Sequence, residues 1–318
     1  MGMMRALSLA LILVAAGTEA QEFPQRPIRL VVPFAPGGGV DAVGRTIAQN
    51  MSETLGQPIL VDNRGGAGGN IGTELVARAA ADGYTLLLTT NGHSIQPNLQ
   101  KLDWDPVKSF APIGLVLRFS FIVVTHPSVP AANPSELLAY ARANPGKLAY
   151  GSSGTGGPIH LGMEMLKRMQ NVDIVHVPYK GNGPMTAALI GGEVQMTMDS
   201  MAVSLPQVRA GKLRGIAVTG RQRAPQAPEL PTMTEGGVAG YEYEGWHGVL
   251  APAGTPREIV ARLSAALIRA LGAAEVKSRL FALGYDATPT SSEAFATLIA
   301  ADSVRFGRIV REAGIKSE

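Results

Sequence analysis

The chain of 318 residues contains no cysteine. That excludes a disulfide framework and any thiolate metal site, and leaves burial of a core as the source of stability. Aromatic residues make up only 5% of it, and the lysines and arginines are scattered rather than interleaved with them, so a nucleic-acid surface is not expected. Beyond residue 20 no apolar run reaches membrane-spanning length. The sequence has no G-x-x-x-x-G-K-[S/T], no H-E-x-x-H and no G-x-S-x-G, which removes the P-loop, the helical zinc protease and the nucleophile elbow at the motif level. His93, His126, His160, His176 and His247 are spread without ligand spacing, so neither a metal nor any other cofactor is expected.

What is present begins with an N-terminal leader. Arg5 supplies a positive start, residues 6–16 an apolar core, and Gly17-Thr18-Glu19-Ala20 a small-residue exit. This reads as a secretory signal over 1–20, cleaved after Ala20. It has no twin-arginine pair, which points to export as an unfolded chain without a preloaded cofactor. Removal takes away one Arg and one Glu, so the net charge of +3 is unchanged. The remaining roughly 300 residues suit two lobes.

The mature chain is organised around Val31-Val32-Pro33-Phe34-Ala35-Pro36-Gly37-Gly38-Gly39-Val40-Asp41. A β-branched run over 28–32 predicts a buried strand, ended by prolines that cannot donate to a ladder. Val40, Val43, Ile47, Met51 and Leu55 then recur at helical spacing on one face. Strand, glycine turn and helix together aim unpaired backbone N–H groups and a partial positive charge at an anion. The device recurs where a strand at 148–151 runs into Gly151-Ser152-Ser153-Gly154-Thr155-Gly156-Gly157-Pro158 and another helix. Two such loops suggest two lobes facing one small anion. Gly37-Gly38-Gly39-Val40-Asp41-Ala42 also matches the dinucleotide pattern G-x-G-x-x-A. Flanking prolines and export both speak against that reading, and tight strand–helix packing is a further use for such glycines.

Strands alternate with helices along the rest of the chain, which predicts an α/β fold with parallel sheets. Strands are expected at 58–61, 84–90, 174–177, 194–198 and 214–219, with helices at 71–81, 184–190 and 204–210. The stretch 91–110 reads as irregular. The β-rich run 113–125 is longer than one ordinary strand and is interrupted by Arg118, Phe119 and Ser120, so two strand pieces crossing between lobes are expected. Residues 243–250 look like the return crossing, after a proline-rich connection over 221–240. Asn133-Pro134-Ser135-Glu136 and Thr255-Pro256-Arg257-Glu258 read as capping boxes, and helices over 256–271, 274–283 and 292–313 close the chain. The expected division is 21–119 with 247–318 as a discontinuous first lobe, and 120–246 as the second.

Residues able to do chemistry are few. His160 lies three residues past the second loop, placed either to line a cleft or to serve as a hydrogen-bonded structural histidine. Ser152, Ser153 and Thr155 carry hydroxyls, and Ser152 or Ser153 with His160 is the one nucleophile–base pairing worth naming, although no third residue orients the base. Asp199 ends a strand, where ligands gather in α/β sheets, and is equally able to cap the next helix. Met163, Met165 and Met169 read as helical core, and Trp246 as a lid or a packing residue at the return crossing.

Taken together, the motifs resemble the Bug-type receptors of tripartite tricarboxylate transporters. They are Phe23-Pro24-Gln25-Arg26-Pro27-Ile28, Val31-Val32-Pro33-Phe34-Ala35-Pro36-Gly37-Gly38 with Asp41 and Arg45, Val61-Asp62-Asn63-Arg64-Gly65-Gly66-Ala67-Gly68-Gly69-Asn70, Ala81-Asp82-Gly83-Tyr84, Tyr150-Gly151-Ser152-Ser153-Gly154, Val177-Pro178-Tyr179-Lys180-Gly181 and Ala251-Pro252-Ala253-Gly254-Thr255-Pro256. The resemblance spans residues 23–315. It implies a two-lobed periplasmic-binding-protein fold of type II with a central cleft, located in the periplasm. It also implies a carboxylate held, largely through main-chain donors and bridging waters, by two loops, one of Phe34, Ala35, Pro36, Gly37, Gly38 and Gly39 and the other of Ser152, Ser153, Gly154, Thr155, Gly156 and Gly157, and delivery to membrane transporter subunits. Asp41, Asn91, His160 and Asp199 complete the candidate site. Two positions depart from the family pattern and bear on ligand identity: Asn91-Gly92-His93-Ser94 after the third strand, and Thr197-Met198 before Asp199. A monomeric, non-enzymatic receptor is expected; the alternatives are an exported hydrolase using Ser152 or Ser153 with His160, and a ligand-sensing partner protein.

Overall fold

The computed structural model describes residues 23–315; the leader expected at 1–20 lies outside them. The first sheet is built from βα units. Strand β1 (Ile28–Val32) is followed by helix α1 (Gly39–Leu55), β2 (Ile59–Asn63), α2 (Asn70–Ala77) and β3 (Thr85–Thr90). β1 lies between β2 and β3, parallel to both. Its side chains are almost wholly buried, with Ile28, Leu30 and Val32 packed on Val43, Ile47 and Met51 of α1, as a continuous apolar run in a two-sided sheet requires.

The second sheet repeats the scheme. Strand β5 (Ala149–Ser152), helix α5 (Pro158–Gln170), β6 (Val175–Pro178), helix α6 (Asn182–Ile190), β7 (Met196–Ser200), helix α7 (Met201–Arg209) and β8 (Arg214–Val218) follow one another, and β5 runs parallel to both β6 and β7. Between the two halves stands β4 (Phe110–Thr125), one continuous strand of 16 residues. Its first part, to Ser120, pairs antiparallel with β9 (Glu244–Pro252), and its last part, from Phe121, pairs antiparallel with β7 and β8. The two separate pieces expected here are a single strand. Arg118, Phe119 and Ser120 are the point where it leaves one sheet for the other, and register shifts lie on both sides, at Pro112/Gly114 and Leu115/Leu117 against β9 and at Val123/Val124 against β8.

Helix α4 (Pro134–Ala143) opens on the expected box: Asn133 Oδ1 accepts from the Glu136 N–H at 2.9 Å, and Glu136 Oε2 from the Ala132 N–H at 2.7 Å. The second expected box does not form. Helix α8 (Arg257–Gly272) follows Pro256 with no side-chain cap, because the Thr255 hydroxyl turns back to the Pro252 carbonyl at 2.8 Å. A short helix α3 (Gly92–Ile95) and a 3-10 turn (Gln96–Asn98) occupy the start of the stretch read as irregular.

Helices α8 and α9 (Ala274–Ala282) pack on the first core through Leu263, Leu267, Val276 and Leu280, and β10 (Asp286–Ala287) pairs with β4. Helix α10 (Ser292–Ala313) belongs to both cores. Phe295 and Ile299 pack with Trp246, whereas Phe306, Ile309 and Val310 sit in the second core beside Tyr241 and Tyr243. Helix α10, 22 residues long, thus contributes its first half to one core and its second half to the other. Trp246 is buried, stands edge-on to Phe295 and donates from Nε1 to Asp302 Oδ2 at 2.8 Å; it is a packing residue that fastens β9 to α10. Met163 is core, but Met169 is 41% exposed on the outer face of α5.

Candidate functional site

The first loop is held from below by its own helix. Asp41, in the first turn of α1, is 3% exposed. Its Oδ2 accepts from the Gly37 N–H at 2.9 Å and from Arg45 Nε at 3.0 Å, and its Oδ1 accepts from Asn63 Nδ2 at 3.0 Å. Burial opposes ionisation of Asp41, but the bonds from Arg45, Gly37 and Asn63 outweigh it and hold the carboxyl below its ordinary range. Asn63 Nδ2 also donates to the Phe34 carbonyl at 3.1 Å. Asp41, Arg45 and Asn63 thus act as a scaffold. Gly37 has φ +83° and its N–H is spent on Asp41, so the donors this loop can offer outward are those of Gly38, Gly39 and Val40, at a helix start with no side-chain cap. Ala35, Pro36 and the three glycines are exposed, and Phe34 is half-buried.

The second loop spends more of its donors internally. The Gly154 N–H donates to Ser152 Oγ at 3.3 Å, that of Gly156 to His160 Nδ1 at 2.9 Å, and that of Gly157 to the Gly154 carbonyl at 3.3 Å. Three of the glycine N–H groups expected to face an anion therefore shape the loop instead. The donors without an intrahelical partner are in the first turn of the helix itself, at the buried Ile159 and His160, where no side chain caps the start at Pro158. His160 accepts at Nδ1, so its proton is on Nε2, and burial keeps its pKa below the ordinary value. The pairing of Ser152 or Ser153 with His160 does not form: Ser152 Oγ lies 2.6 Å from His176 Nε2 and is fully buried. His176 stacks on His160 with ring centres 3.9 Å apart. Burial first, and then the neighbouring His160, lower the His176 pKa to about 4.

Sheet register brings the other candidates level with these loops. Tyr150 of β5 pairs with Met196 of β7, and Asp199 lies one residue before the end of β7. Asp199 is fully buried. Its Oδ1 accepts from Asn182 Nδ2 and the Ser200 N–H, both at 2.7 Å, and its Oδ2 from the Ser204 hydroxyl at 2.9 Å. Burial raises its pKa to about 6 against the lowering effect of those three bonds. It anchors the start of α7. In the first sheet Asn91 follows β3, is buried and leaves its Nδ2 without a protein partner.

Two contacts join the ends of the sheets. A Cβ on Gly156 would lie 2.5 Å from Leu99, and one on Gly284 would lie 3.2 Å from the backbone nitrogen of Ala202. Tyr285, which sequence reasoning did not single out, closes this end: a Cβ on Gly39 would stand 2.7 Å from its hydroxyl. Burial, with the Asp199 charge adding to it, pushes the Tyr285 pKa up to about 12. Its only sequence signal is an aromatic just before the short β10. The arrangement presents two uncapped helix starts and several small hydroxyls, with Arg45 tied to Asp41 at the first loop. Such a surface suits a carboxylate. Among the described residues no three His, Asp or Glu side chains gather to hold a metal ion, and no helix is long and apolar enough to cross a membrane.

Residues 43–315 match the model of the tripartite tricarboxylate transporter family receptor. The chain is 35% identical over 309 residues to protein BugT of Bordetella pertussis, covering 95% of this chain and 94% of that one. Among solved structures, the periplasmic binding protein BugD is 36% identical with a TM-score of 0.80, over 93% of this chain and 100% of that one. Rpa4515 of R. palustris, solved with adipate, is 37% identical with a TM-score of 0.83, over 93% and 99%. MatC from Rhodopseudomonas palustris, with bound malate, is 35% identical with a TM-score of 0.78, over 91% and 100%.

Proposed function

The chain belongs to the family of tripartite tricarboxylate transporter receptors, and from that premise we propose that it binds a small organic carboxylate between its glycine loops and hands it to membrane transporter subunits. The observation that carries the reading is the pair of uncapped helix starts, at Gly38–Gly39 and Gly157–Pro158, on two sheets whose ends meet. Dicarboxylates are the first ligands to test, because relatives with adipate and with malate share the fold over nearly the whole chain. The donors assigned to the ligand are the N–H groups of Gly38, Gly39 and Val40 on one side and of Ile159 and His160 on the other, with Ser153 and Asn91 beside them. The two lobes divide where β4 and β9 cross, with α10 strapped across both. Secretion by the leader over 1–20, a periplasmic location, a monomeric state and the lack of turnover belong to the same proposal.

The test is a thermal-shift screen of a ligand-stripped mature chain against organic acids and amino acids, followed by mass spectrometry of the incubated ligand. One acid should raise the unfolding temperature and be recovered unchanged. No response to any acid would count against the receptor reading, and recovery of a converted acid would favour an enzyme.

A further inference from the structure

Glycines at 154, 156 and 157 leave the second loop many paths to choose from. The bonds that select one path all lead to a ring outside the loop. His176 stands on β6, half-buried and paired in register with Tyr150 of β5. Its Nε2 lies 2.6 Å from Ser152 Oγ. Its ring stacks on His160, with centres 3.9 Å and planes 15° apart, and also on Tyr150 at 4.8 Å. Tyr150 is held in turn by Glu164, to which its hydroxyl donates at 2.8 Å.

The proton on His176 can be placed from these contacts. Ser152 Oγ meets the Gly154 N–H at 3.3 Å, the Gly154 carbonyl at 3.1 Å and His176 Nε2. A hydroxyl has one hydrogen to give, and a carbonyl only accepts. All three contacts are hydrogen bonds only if Ser152 donates to the carbonyl and His176 donates from Nε2. The ring is neutral near pH 7, because burial and then His160 lower its pKa to about 4, so Nε2 holds its single proton. The Gly154 carbonyl also accepts from the Gly157 N–H at 3.3 Å. The Gly156 N–H ends at 2.9 Å on Nδ1 of His160, the ring that His176 stacks against. Every N–H that the loop spends on itself thus depends on a partner that His176 touches or a bond that it completes.

We infer that His176 is a positioning residue for the second glycine loop: it donates to Ser152, braces His160, and so fixes the path that leaves the Ile159 and His160 N–H groups for the ligand. Only the last step rests on the receptor reading.

Two substitutions separate the two contacts. His176→Phe keeps an aromatic ring against His160 but removes the donor, whereas His176→Gln keeps a side-chain N–H donor and removes the ring. Amide exchange in the ligand-free mature chain, followed by NMR, reads the loop directly. In His176→Phe the Gly154 N–H should exchange about two- to tenfold faster, the worth of one neutral hydrogen bond, and that of Gly156 should not change. His176→Gln should show the reverse. Ser152→Ala cuts the same link from the loop side. It should weaken binding of malate, adipate or whichever acid the thermal-shift screen selects by about two- to tenfold, as His176→Phe does, with the double variant no weaker than either alone. Equal exchange of both amides in wild type and both variants, equal speeding of both amides in both variants, or losses that add in the double variant would overturn the assignment. Unchanged affinity in both histidine variants would do the same. If wild type takes up no acid, the receptor reading fails, and the exchange measurement still decides whether His176 holds the loop.

Discussion

At Asp199 a carboxylate is buried with only neutral partners, Asn182, Ser204 and the Ser200 N–H. Its folded pKa of about 6 lies above the ordinary 3.8. The stability it contributes is therefore fully present below about pH 4 and is lost as pH rises through about 6, a change on the order of 3 kcal/mol. Asp199→Asn should remove this dependence, so that denaturation midpoints of variant and wild type converge toward pH 4 and the variant is the more stable at pH 7. A variant whose midpoint tracks the wild type from pH 4 to 7 would contradict it. Asp199 also shows how far single residues were legible. Its position at a strand end could be read, but whether it caps a helix or faces a ligand depends on Asn182 and Ser204 arriving from elsewhere in the fold. The glycine loops likewise announced themselves by composition, whereas which N–H groups are already used, by Asp41, Ser152 and His160, is a matter of side-chain rotamer and loop closure.

Among the elements, α1 and α5 were legible because helical spacing of apolar residues follows a glycine turn directly. Strand β4 was legible only as an over-long β-rich run; its continuity rests on pairing with β9, β7 and β8, which no local signal carries. Helix α10 was visible by periodicity, but its division between two cores was not, since an apolar face does not say what covers it. The structure makes α10 a strap, fixed by the bond from Trp246 to Asp302 in the first lobe and by Phe306 in the second. Phe306→Ala should therefore cost about 3–5 kcal/mol, as for other buried aromatic truncations, measured by chemical denaturation of the mature chain. A loss below about 1 kcal/mol would show that α10 does not hold the second lobe.

For the whole molecule, the buried His93 and His247 and the half-buried His176 set the acid limit. Burial lowers the pKa of His93 and His176 to about 4 and that of His247 to about 3. Each contributes stability that is present above the unfolded value of 6.5 and is lost as pH falls toward the folded one. Their combined loss exceeds what Asp199 regains, so the unfolding temperature should fall steadily from pH 7 to pH 4, and His247→Phe, set between Phe119 and Tyr285, should flatten that fall. An unfolding temperature independent of pH over this range would contradict the buried, neutral state of these rings. The central claim, a carboxylate held by backbone donors at two helix starts, has a clean probe in Gly38. Its φ is −80° and a Cβ there meets nothing closer than the Ala35 carbonyl oxygen at 3.7 Å; Gly156, at φ +73° and against Leu99, would instead strain the fold. The decisive measurement is calorimetric titration of the dicarboxylate selected by thermal shift into wild type, Gly38→Val and Arg45→Ala. A valine at 38 keeps its N–H but sets a branched side chain where the ligand approaches; losing one charge-assisted N–H bond, worth about 1.5–3 kcal/mol, should weaken binding by about tenfold to more than a hundredfold with the unfolding temperature kept, while Arg45→Ala still binds. Unchanged affinity in Gly38→Val, with binding lost in a well-folded Arg45→Ala, would contradict the account.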